Sequence, residues 1–163
     1  MNSAEFAGRF GGVFEHSPWV AERAFETGIA EPFSAVTVHA SMCAAFRNGT
    51  GAERLAVLRA HPDLAGKLAI AGELTEDSRK EQAGAGLDRL SAEEHARFTL
   101  LNKAYTEKFG FPFIIAVKGL NKDDILSAFE IRINNSTVQE FDTACTQVER
   151  IALLRLTTIF PGE

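Results

Sequence analysis

Residues 109–117 read FGFPFIIAV. The run from Phe113 to Val117 is apolar and rich in β-branched side chains, opened by Pro112 and closed by Gly119. Those are the marks of a short buried strand. Outward from it in both directions, apolar residues recur every three or four positions instead of alternating, which is the period of helices. A lone strand has no ladder partner, yet buried N–H and C=O groups must be paired somewhere. The sequence therefore predicts an all-α fold with one short extended segment, about Phe113–Val117, whose backbone is satisfied by something other than a sheet.

The helical pattern places short helices over residues 3–10, 17–27, 34–47 and 51–60, one from Pro62 to about Ala71, and one over roughly Glu76–Ala83. GAGLD at 84–88 reads as a turn. Ser91 then opens a long helix with Glu94 as its capping-box partner, and Phe98, Leu101, Tyr105 and Phe109 keep helical spacing along it. Asn121 caps a helix carrying Ile125, Phe129 and Ile133, and Ser136 caps the last and longest one. The whole, residues 1–163, reads as a single compact domain of about eight to nine helices, with no internal repeat or long linker.

At 163 residues and 45% hydrophobic composition the chain can bury a core without disulfides or a structural metal. A net charge of -5 and the lack of a basic patch speak against a nucleic-acid partner. No apolar run approaches the ~20 residues of a membrane span. The opening MNSAEFAGRF lacks the apolar stretch of a secretory signal, and the closing PGE is not a peroxisomal address, so a cytoplasmic protein is expected. Cys43 and Cys145 lie in apolar surroundings and read as reduced thiols. His16, His39 and His95 show no ligand spacing, and no metal site is expected.

Three stretches fall outside this ordinary pattern. On the last helix Val138, Phe141, Cys145, Val148, Ala152, Arg155 and Ile159 form one stripe, apolar except for Arg155. A guanidinium keeps its proton, so if buried it needs an anion. Arg155 either snorkels or pairs with an internal carboxylate, or it faces a pocket and grips a substrate carboxylate through its planar fork. In RAHPDLAGKLA, residues 59–69, Pro62 suits a first helical turn and places His61 at or beside the N-cap, with Asp63 in that turn. There the helix dipole disfavours imidazolium, and His61 is either a surface cap or a general acid–base on a rigid helix end. In LTEDSRKEQAGAGLD, Ser78, Glu81 and Gln82 share one face of a charged helix, which could be a solvated face or could hold polar groups against a ligand.

HPDLAGKLA, then S-x-x-EQAGAGLD, then LNKAYTEKFGFPFIIAVKG, then IALLRL: in this order the stretches resemble the 2-oxo-4-hydroxy-4-carboxy-5-ureidoimidazoline (OHCU) decarboxylase family of urate breakdown. The likeness runs from FGGVFEHSPWVAE near the start to the last helix. It implies an all-helical homodimer that converts OHCU to (S)-allantoin with release of carbon dioxide, using no metal or organic cofactor. Carried over by position, the catalytic residues are His61, Glu81 and Arg155. The substrate-contacting ones are Pro62, then Ser78, Arg79, Lys80, Glu81 and Gln82, then Phe113, Ile114, Ile115, Ala116 and Val117. The last five would meet the polar edges of the substrate ring through main-chain groups. Three other readings compete: a catalytically silent ligand-binding module, which would lose the proton-transfer residues, a pure dimerisation domain, and a fused enzyme carrying the preceding hydrolase. His61 and Glu81 oppose the first, the cost of placing the Arg155 charge in an apolar interface opposes the second, and the length of the chain opposes the third.

Overall fold

The computed structural model describes residues 1–161. Among them are nine α-helices: α1 Ser3–Phe10, α2 Trp19–Thr27, α3 Ala35–Arg47, α4 Gly51–Ala60, α5 Lys67–Ile70, α6 Glu76–Gly84, α7 Ala92–Phe109, α8 Lys122–Arg132 and α9 Thr137–Ile159. No strand occurs among the described residues. The chain forms two compact units, one of residues 1–61 and 145–163 and one of residues 62–144. Helix α9 runs through both, giving its first turns to the second unit and the rest to the first. Among the described residues no helix is long and apolar enough to cross a membrane.

In the first unit α2 packs against both α1 and α3, with a 3-10 turn at Gly11–Val13 leading out of α1. Its core is aromatic: Phe6 meets Phe10 at 4.8 Å between ring centroids, Phe10 stacks on Phe160 at 5.4 Å, and Phe14 meets Phe46 at 5.4 Å. Capping boxes at Asn2, Ser34 and Thr50 start α1, α3 and α4, each pairing backbone donors that a helix start leaves open. Cys43 and Cys145 are buried free thiols, and burial pushes the Cys43 thiol up to about 12, so it stays protonated at neutral pH.

In the second unit the Ser91 capping box begins α7 as expected, and Phe98, Leu101, Tyr105 and Phe109 all point inward. Asn121 caps α8, and Ser136 caps α9 by accepting from the Gln139 N–H at 3.2 Å. Two inward positions differ from the expected stripes. On α8 the buried residue after Phe129 is Arg132, whereas Ile133 is the half-exposed C-cap. On α9 Val138 is 73% exposed, because the buried face at that end runs through Glu140 and Ala144. Two residues before Glu140 is about 200° round the helix, on the solvent side.

The expected helix from Pro62 is the largest correction. Residues 62–66 are not helical, and α5 begins only at Lys67. The chain turns left-handed at Ala65, with φ 52°, a conformation no helix continues through. Side chains take the backbone groups that a helical turn would have used. Gln82 Oε1 accepts from the Ala65 N–H at 3.0 Å and its Nε2 donates to the Asp63 carbonyl at 3.2 Å. Asn102 Nδ2 donates to the Leu64 carbonyl at 2.8 Å. Gly66 is required by a close approach, since a Cβ there would lie 2.6 Å from the Asp63 Cβ.

Candidate active site

His61 is the C-cap of α4, not the N-cap of a following helix. The last carbonyls of α4 would favour an imidazolium, typically by 0.3–1 kcal/mol. Burial opposes this and wins: His61 is 8% exposed, and desolvation pushes its pKa down to about 4. The Glu15 carboxylate pulls it back up, while the Arg155 guanidinium and the neighbouring His16 push it further down. His61 is therefore neutral at pH 7, for a different reason than its place in the sequence suggests. Its Nε2 is buried and has no hydrogen-bond partner among the described residues.

Arg155 and Glu15 form a buried ion pair in the same unit. Arg155 Nη1 lies 3.3 Å from Glu15 Oε1 and donates to the Gly12 carbonyl at 3.1 Å, with the two side chains 5% and 2% exposed. The turn at Phe14–Ser17 aims Glu15 inward: the Ser17 N–H donates to the Phe14 carbonyl at 3.0 Å, and Ser17 Oγ donates to the Glu15 carbonyl at 2.9 Å. The internal carboxylate considered for Arg155 is thus Glu15. A charge-assisted bond of this kind fixes the plane of the guanidinium and so the direction of its remaining donors.

The other expected contact residues lie in the second unit. On α6 Ser78 and Gln82 are buried and Glu81 is half-buried, whereas Arg79 and Lys80 extend into solvent beside Glu76. Gln82 is committed to the 63–65 backbone, holding the loop that begins at Pro62. Phe113, Ile114, Ala116 and Val117 are buried and Ile115 is half-buried. Part of the backbone pairing of this segment comes from side chains and turns. Arg132 Nη1 donates to the Ile114 carbonyl at 2.7 Å, and the Leu120 N–H donates to the Val117 carbonyl at 2.9 Å. Arg132 is held in turn by Glu140, whose Oε1 accepts from Arg132 Nε at 2.9 Å and from the Tyr105 hydroxyl at 2.5 Å. Asn135 Nδ2 donates to Glu140 Oε2 at 3.0 Å.

The structure thus gathers His61 with Arg155 in one unit, and Pro62, α6 and the 113–117 segment in the other. Sequence reading missed Glu15, Asn102, Arg132 and Glu140. A signal existed for two of them. Arg132 follows Ile125 and Phe129 at helical steps, and Glu140 precedes Ala144, Val148 and Ile151 in the same way, so each is a charge on an apolar stripe. Glu15, in a turn, has no periodicity to betray it. Among the described residues no group of three His, Cys, Asp or Glu is placed to hold a metal.

The depressed basicity of His61 has a consequence for stability. Between pH 6.5 and about 4 the unfolded chain binds a proton at this residue that the folded chain does not. The contribution of a neutral His61 is therefore complete above pH 6.5 and is lost as the pH falls toward 4, by about 3 kcal/mol at most. Urea denaturation at pH 7 and pH 4.5 should show this loss in the native chain and a smaller one in His61→Asn. An equal loss in both would remove His61 as its source.

An all-helical chain that buries a neutral imidazole in the electrostatic field of a buried guanidinium–carboxylate pair has the makings of an acid–base enzyme for an anionic substrate. Comparison with known proteins makes this specific. The family model for OHCU decarboxylase matches residues 1–157, and the chain belongs to that family. The OHCU decarboxylase of Haloferax volcanii is 43% identical over 164 residues, covering 100% of this chain and 94% of that protein. That of Xenopus laevis is 35% identical over 164 residues, covering 100% and 92%. The crystal structure of an (S)-allantoin synthase superposes with a TM-score of 0.77 at 33% identity, over 98% of this chain and 51% of that longer one. An OHCU decarboxylase crystallised in the presence of (S)-allantoin shares the fold, with a TM-score of 0.72 at 23% identity over 91% and 94% of the two chains.

Proposed function

We propose that this chain, acting as one functional domain, decarboxylates OHCU to (S)-allantoin, a carboxy-lyase reaction in urate degradation. Membership of the family supports the reaction, and the buried, unpartnered Nε2 of His61 is the observation that carries its acid–base side. When the carbon–carboxylate bond breaks, its electron pair passes into the carbonyl and nitrogen functions of the ring, carbon dioxide leaves, and a ring carbon takes up a proton. The substrate supplies its own electron sink, so the protein's tasks are orientation and proton transfer.

A neutral His61 enters as a base: it takes the hydroxyl proton as the carboxylate leaves and returns it to one face of the ring, which makes a single enantiomer, while the ring nitrogen that received the electron pair takes a proton from water. Arg155, its plane set by Glu15, orients the departing carboxylate. Glu81 is assigned to the proton inventory by family correspondence. Pro62, Ser78–Gln82 and Phe113–Val117 are assigned to substrate contact in the same way, the last segment through its main chain. Homodimerisation belongs to the same reading and rests on the family resemblance, and a cytoplasmic setting is proposed beside it.

The test uses OHCU generated freshly from urate by the two upstream enzymes, with circular dichroism following optically active allantoin. Appearance of one enantiomer faster than spontaneous decay is expected. A signal no faster than that decay would reduce the chain to a silent binding module.

A further inference from the structure

The FIIAV segment is held by a buried arginine that takes no part in the proposed proton transfer. Arg132 is buried, with its Nε on Glu140 and its Nη1 on the Ile114 carbonyl. Its guanidinium lies over the Phe113 ring at 4.4 Å, and that ring stacks on Phe129 at 3.9 Å. Arg132 Nη2 is buried with no partner among the described residues. A buried ion pair with an unsatisfied donor is a poor way to stabilise a core, and apolar residues of similar volume commonly do as well or better. Stability alone therefore does not explain this arrangement, but its geometry does.

In a trans peptide the C=O and the following N–H point in opposite directions. Binding the Ile114 carbonyl to Arg132 therefore turns the Ile115 N–H directly away from Arg132. Ile115 is the one half-exposed residue of the segment, and its N–H makes no hydrogen bond among the described residues. A cation on the carbonyl also polarises the peptide and makes that N–H a stronger donor. We propose that Arg132, clamped by Glu140, is a positioning residue that fixes the Ile114–Ile115 peptide and presents the Ile115 N–H to a carbonyl oxygen of the substrate. This rests on the reading that residues 113–117 meet the substrate through their main chain.

The test compares Arg132→Lys with Tyr105→Phe. Lysine keeps a charge for Glu140 but cannot hold both Glu140 and the Ile114 carbonyl with a fixed fork. Tyr105→Phe removes one hydrogen bond to Glu140 and leaves the Arg132–Ile114 contact in place, so it serves as the control for weakened packing. With both proteins folded at the assay temperature, Arg132→Lys should raise KM about tenfold, lower kcat/KM by about 10- to 100-fold, and leave the pH profile of kcat in place. Tyr105→Phe should keep the native KM, because a smaller folded fraction lowers kcat and not KM.

If Arg132→Lys does not fold, the neutral pair Arg132→Gln with Glu140→Gln replaces it, with the same rise in KM expected. A native KM in either folded variant overturns the proposal, as does a loss of fold in both with no separable change in KM. Neither result touches the proposed reaction, which fails only if the native chain itself shows no acceleration.

Discussion

His61→Asn should lower the rate of enantiomer-specific allantoin formation by about 100- to 10,000-fold, the usual worth of a positioned proton-transfer group. Asparagine keeps a polar side chain of similar reach but cannot exchange a proton near neutral pH. The folded protein should survive the change. His61 Nε2 makes no hydrogen bond to lose, and the C-cap contact of His61 is a backbone one, from its N–H to the Leu58 carbonyl at 3.2 Å. The loss should fall on kcat, with KM nearly unchanged, since the group acts in the transition state and not in ground-state binding. Undiminished turnover would remove His61 from the chemistry and leave its burial a matter of packing.

The pH dependence is signed by the same environment. In the free enzyme the base form of His61 dominates above about pH 4, so kcat/KM should hold up well below the range in which an ordinary histidine protonates. A limb near pH 6.5 that disappears in His61→Asn would show that solvent reaches the ring more freely than the folded structure indicates.

Arg155→Met should be the most destabilising substitution, by about 3–5 kcal/mol, because it removes the cation beside a carboxylate that is 2% exposed. Removing the carboxylate's charge as well, in Glu15→Gln with Arg155→Met, should recover much of that loss, as two neutral groups of similar size need no ion pair. Activity should follow a different course. If Arg155 orients the substrate carboxylate, both proteins should lose about 100-fold or more in kcat/KM, whatever the stability of the double variant. Denaturant titration beside the allantoin assay separates the two effects. A double variant that regains stability and activity together would make Arg155 a structural residue and leave the substrate carboxylate to main-chain donors. Arg155→Lys keeps the charge but not the planar fork, so it should be more stable than Arg155→Met and nearly as inactive.

Helix content was legible because helix starts are local chemistry. Asn2, Ser34, Thr50, Ser91 and Asn121 each cap within three residues of themselves, and the sequence carries every atom involved. The order of family stretches was equally readable, and it led to the reaction. The loop at 62–66 was not. Pro62 promises a helical turn, and what overrides it arrives from Gln82 and Asn102, many residues away, whose amide groups take the backbone of Asp63, Leu64 and Ala65. A propensity of a few tenths of a kcal/mol gives way to several buried hydrogen bonds.

The all-helical class, the capped starts of α7, α8 and α9, the family likeness and the two odd residues, His61 and Arg155, were all readable in the amino-acid sequence. The family came from the resemblance of four quoted stretches, and the rest from periodicity or from near neighbours along the chain. That burial, and not a helix terminus, keeps His61 neutral is visible in the tertiary structure alone. That structure also supplied Glu15 as the counter-charge of Arg155, and Arg132 with Glu140 as the clamp on the FIIAV backbone. Solvation and ion pairing depend on what surrounds a group in three dimensions, and those surroundings come from residues as far as 140 positions away in the chain.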